Sequence, residues 1–123
     1  MALFEVHLEL ARTPEFPSGS RAHGYDLVLP LRDDGHLDAE EWRGKKKLCL
    51  VTRFWAGEAS ETGHLIHSRG GAWAFSYAPG DDDDEPVFRL ADHVFTEGEY
   101  VSVREHDGVT RPFRVISVRR SES

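Results

Sequence analysis

Apolar and polar positions alternate most regularly near the carboxyl end of the chain. Val101 and Val103 share one parity of an extended arm, Phe113 and Val115 share one parity of the next, and His106-Asp107-Gly108 lies between them. Because strand side chains alternate between faces, the length of the connection decides whether the two apolar pairs meet. A two-residue Asp107-Gly108 turn would set Val101 and Val103 opposite Arg114 and Pro112 and turn the pairs apart. A three-residue loop with Gly108 in the left-handed conformation instead sets Val101 opposite Phe113 on one face and Tyr100 opposite Arg114 on the other. The pattern therefore predicts a hairpin with arms Glu99 to Glu105 and Val109 to Val118, opened by Thr96-Glu97-Gly98. Pro112 has no N–H to give to a ladder, so it points away from a partner strand or sits at a kink. Ile116 and Val118 fall on the opposite parity from Phe113 and Val115, which leaves open a second bend or a strand end covered on both faces.

The rest of the chain reads in the same way. Leu3 to Leu10 alternates with Phe4, Val6, Leu8 and Leu10 on one face and Glu5, His7 and Glu9 on the other, the pattern of a half-buried strand. From Arg12 to Gly24 two prolines and two glycines interrupt the chain, and a long loop without regular structure is expected, forming a rim or an excursion. Tyr25 to Leu31 predicts a strand that Pro30 ends at a sheet edge. Asp38 as N-cap with Glu41 three residues on, and Leu37 stapled to Trp42, predict a short helix near 39–43 followed by three solvated lysines, Lys45, Lys46 and Lys47. Leu48 to Trp55 is apolar on both parities, as in a central strand. His64–Arg69 and Ala72–Tyr77 form a second hairpin around Gly70-Gly71, with Ile66 opposite Phe75, His64 opposite Tyr77, and Trp73, Phe75 and Tyr77 on one face. Val87 to Leu90 adds a short strand, and Arg119 to Ser123 a frayed tail. About seven strands with one helix predict a single domain over 1–123, a small antiparallel β-barrel, with a β-sandwich as the alternative. The closing segment resembles the terminal strand pair of many small β-barrels, cupins among them, but it lacks the histidine and glutamate spacing of the cupin metal motif.

Charge refines this picture. The net charge of −7 is carried by one stretch: between Asp81 and Glu99 eight acids face Arg89 alone, and the remainder is balanced. Long-range repulsion then disfavours general nucleic-acid binding, and an acidic loop favours a basic partner surface. The single Cys49 cannot form an internal disulfide and sits in an apolar run, which reads as a buried thiol in a reducing cytoplasm. Met1 to Leu10 carries Glu5 and Glu9 without a basic n-region and does not read as a secretory signal. No apolar stretch approaches the roughly 20 residues of a membrane-spanning helix.

No nucleophile elbow, phosphate-cradling loop or dinucleotide fingerprint is present, so the pattern names no cofactor and leaves enzymatic activity without a motif. His64 and His67 diverge on a strand and cannot chelate together, and no metal set is assigned. The candidates are three. Asp81, Asp82, Asp83, Asp84 and Glu85 form an acidic rim that, with the 12–24 loop, suits a binding or interaction module for a protein or small molecule. His93 with Asp92 and Glu97 has the residue types for acid–base catalysis. Tyr100 and Arg114, among the arginines of the last hairpin, offer a stacking and anion-holding face that could also bind nucleic acid weakly. An exposed edge near Pro30 or Pro112 is compatible with a homodimer.

Overall fold

The computed structural model describes residues 3–67, 73–77, 85–87, 90–105 and 107–121. Eight antiparallel strands run in chain order around a closed barrel: β1 (Leu3–Leu10), β2 (Ser20–Pro30), β3 (Leu50–Trp55), β4 (Glu61–His67), β5 (Trp73–Ser76), β6 (Glu85–Val87), β7 (Tyr100–Arg104) and β8 (Thr110–Arg120), with β8 pairing back onto β1. There are eight strands rather than seven, and closure excludes the sandwich.

The terminal hairpin has the register that parity demands. Val101 faces Phe113, Tyr100 faces Arg114, Glu105 N–H donates to the Val109 carbonyl at 3.0 Å, and Gly108 adopts φ +84°. The parity break downstream is a bend. Leu8 pairs with Val115 and His7 with Ser117, so Ile116 is an extra residue, and the bulge returns Val118 to the face of its partner Val6. Arg119 and Arg120, expected to fray, lie opposite Glu5 and Phe4.

Three other expectations shift. The last five residues of the 12–24 loop are strand, because β2 begins at Ser20; the register jumps from Glu9–Gly24 to Leu10–Ser20, so residues 21–23 form a bulge without partners on β1. Pro30 lies at a strand end rather than a free edge, opposite Leu3, with its carbonyl accepting from Asp38 N–H at 2.8 Å. In the β4–β5 hairpin Leu65, not Ile66, faces Phe75, and His64 faces Ser76. Leu65 and Phe75 are both buried, so inward side chains oppose each other; the turn itself, 68–72, lies outside the described residues.

A barrel of this size is just wide enough for its side chains to fill it. Val6, Leu8, Leu27, Leu29, Val51, Leu65, Val101, Val103 and Val115 line the wall, and Phe75 and Phe113 each lie 5.0 Å from the Tyr25 ring at the centre. One end is closed by helix α1 (Ala39–Gly44), whose N-cap Asp38 accepts from Glu41 N–H. Trp42 of this helix donates to the Leu65 carbonyl at 3.0 Å and meets Trp73 edge-on. Cys49 is buried, and desolvation pushes its thiol up to about 11, as an inert thiol requires.

Gly24 allows β1 and β2 to approach closely. A Cβ on Gly24 would lie 2.0 Å from the Leu8 carbonyl oxygen and 2.8 Å from Phe54 Cζ, whereas one on Gly44 would meet nothing within 4 Å. Gly24→Ala is expected to cost about 2 kcal/mol or more, and Gly44→Ala to change stability by no more than about 1 kcal/mol. Urea denaturation of both variants checks this; equal midpoints would show that the β1–β2 approach is looser than described.

Candidate functional site

The wall parity that buries Val51, Val87, Val103 and Phe113 also buries charge. Arg53, Glu85, Glu105 and Arg111 share those inward faces, and all four are buried. They gather at the end of the barrel opposite α1. Glu105 accepts from Arg111 Nη1 at 2.8 Å, from Arg53 Nε at 3.1 Å and from the Tyr25 hydroxyl at 2.8 Å. Glu85 Oε1 lies 2.9 Å from the Tyr25 hydroxyl and 2.7 Å from that of Tyr77. The single Tyr25 hydrogen is thus placed between two carboxylates, and the phenol is the hinge of the network.

Burial and the adjacent carboxylates hold both phenols far above their ordinary pKa, so Tyr25 and Tyr77 remain donors. Burial opposes the charge on Arg53, but the Glu105 and Glu85 carboxylates outweigh it and keep the guanidinium protonated. Each arginine also reaches outward, Arg53 toward Glu58 and Glu61, and Arg111 toward Glu15 and Asp107. Trp55 caps the cluster, with Arg53 and Arg111 stacked at 4.8 and 5.3 Å from its ring and His23 at 4.0 Å. Desolvation lowers the His23 pKa, which favours a neutral ring, and Nδ1 pairs with Ser20 Oγ at 2.7 Å. Chemically this assembly is a plug: Glu105 already accepts from three donors and has little capacity left to act as a base.

The expected site residues separate. Glu85, placed on a solvated rim by its sequence neighbours, is wholly buried because it shares its strand face with Val87; Asp81–Asp84 lie outside the described residues. His93 is half-buried just after a 3-10 turn (Leu90–Asp92), with Asp92 and Glu97 open to solvent. Tyr100 and Arg114 point outward, Tyr100 with 55% of its surface exposed. There they join the early loop: Arg12, Arg21, Tyr100 and Arg114 line one open cleft of about 580 Å³ on the outer wall. The inner network had a readable signal, since Arg53, Glu105 and Arg111 each occupy apolar parity. Its convergence had none, because it joins residues from Tyr25 to Arg111.

Glu9, also in that cleft, is engaged. His7 bridges Glu9 at 2.9 Å and Asp26 at 2.6 Å and stacks on Phe54. Burial works against the charged ring, but hydrogen bonds to Asp26 and Glu9 and their negative charge raise its pKa above the ordinary 6.5. A raised folded value means stabilisation that is complete below the unfolded pKa and lost as pH rises through the folded one.

Glu105→Gln leaves two buried guanidiniums short of a counter-charge and is expected to cost about 3 kcal/mol in urea unfolding; a change below about 1 kcal/mol would mean the network is solvated. The stability difference between the natural protein and His7→Gln is expected to be largest below about pH 6.5 and to shrink at higher pH, as followed by denaturation across pH; a constant difference would remove the charged-ring account. No family model matches the chain, and neither curated proteins nor solved structures gave a match.

Proposed function

We propose that this protein is a non-catalytic binding module that recognises a protein partner through its outer wall. The observation that supports this reading is the filled interior: Tyr25, Phe75, Phe113, Leu8 and Leu27 occupy the centre with at most 1% exposure, and the charged plug occupies one end. Chemistry available to a partner is therefore sought outside, where Tyr100, Ile116 and Arg114 are exposed and the early loop folds against them. The acidic run Asp81–Asp84 belongs to the same reading as a second, oppositely charged contact surface. A reducing cytoplasm suits the free buried Cys49. No helix among the described residues is long and apolar enough to cross a membrane. The acid–base alternative at His93 gains little from Asp92 and Glu97, whose exposure leaves water free to compete for any proton transferred.

Affinity capture with the full chain tests this. Partners recovered by the natural protein are expected to be lost from a Tyr100→Ala/Arg114→Glu variant that retains its circular dichroism, and to be weakened when Asp81–Asp84 are changed together to asparagine. Unchanged capture by both variants would overturn the reading.

A further inference from the structure

The outer-wall cleft has a definite chemistry. It exists because the sheet bends twice beside it: the β1–β2 register jumps at Glu9/Leu10, and β8 bulges at Ile116. Between these bends the early loop folds back, with Gly19 at φ +73° and Ala11 N–H donating to the Pro112 carbonyl at 3.0 Å. Arg12 leaves the loop, Arg21 stands exposed on the β2 bulge, and Arg114 rises from β8 opposite Tyr100. None of these three arginines forms an ion pair or side-chain hydrogen bond among the described residues, although the chain as a whole is acidic. The one acid in the cleft, Glu9, is held by His7. Elsewhere the buried or half-buried cations are paired: Arg53 and Arg111 with Glu105, and Lys45 with Glu41.

Three guanidinium groups without ion pairs among the described residues, around one concavity also lined by Pro112, Tyr100 and Ile116, suit carboxylate oxygens attached to an apolar body. Guanidinium forks bind carboxylates in two-pronged fashion, and an exposed tyrosine adds a rigid aromatic anchor. We propose that this cleft is the recognition site for a short acidic peptide segment of a partner protein, with Arg12, Arg21 and Arg114 binding its carboxylates and Tyr100 packing against an adjoining aromatic or aliphatic side chain. The site rests on the outer-wall reading and narrows it to one cleft and one ligand class. A long polyanion such as nucleic acid meets the repulsion of a −7 chain beyond the cleft, whereas a short peptide contacts only the local positive surface.

Amide NMR of the full chain, titrated with a short glutamate-rich peptide carrying one aromatic residue, tests the assignment. Saturable shifts are expected at Arg21, Tyr100 and Arg114, weakening with added salt. Arg21→Gln and Arg114→Gln are each expected to reduce affinity roughly tenfold, and Arg43→Gln, on the exposed side of α1, to leave it unchanged. Shifts confined to another part of the outer wall would overturn this site while leaving the outer-wall role in place. Absence of shifts, equal loss in Arg43→Gln, or tighter binding of a thymine oligonucleotide of equal charge would overturn the proposal.

Discussion

The barrel is governed by one electrostatic arrangement, the pairing of Glu105 with Arg53 and Arg111 beneath Trp55. Buried charges are costly unless each is matched, and here one carboxylate receives two guanidiniums and a phenol. Its members come from β2, β3, β8 and the end of β7, and Glu85 of β6 joins through Tyr25 and through Arg53 at 3.6 Å. The apolar pairs set the register of neighbouring strands, and this network adds matched polar contacts between strands across the lumen. Specificity of closure is the physical role that a matched but energetically expensive cluster can fill.

Filling the interior has a functional consequence. An eight-stranded barrel can hold a ligand in its lumen or side chains, not both, and here Tyr25 with Phe75 and Phe113 occupies the space. The opposite end is covered by α1 and Trp42. Recognition then moves to the outer wall, where bulges create relief that a smooth sheet lacks. The same two irregularities in the β1–β2 and β1–β8 pairings flank a concavity lined by arginines that form no ion pair among the described residues.

Much of the fold was legible because it follows from local parity. The Val101–Phe113 register, the Gly108 loop and the Asp38 cap each depend on residues close in sequence, and each is as expected. What escaped was information at long range. Closure by β1 and β8 joins the two ends of the described chain, and the start of β2 at Ser20 depends on pairing with Leu10 across a bulge that no dipeptide announces. At the site, Tyr100 and Arg114 were identified together by cross-strand pairing, whereas Arg12 and Arg21 reach them only through the folded loop. Glu85 ends a run of acids in the sequence, whereas in the fold its strand parity belongs to Val87.

The claim that a dry, matched charge cluster closes the barrel is tested most directly by the Tyr25 hydroxyl proton in NMR spectra of the protein in water. A phenol buried between Glu85 and Glu105 exchanges slowly enough for its proton to be observed, with nuclear Overhauser contacts to the Phe75 and Phe113 rings. Absence of that signal under conditions where the core amides are protected would mean that water enters the lumen, and the case for recognition on the outer wall would fall with it.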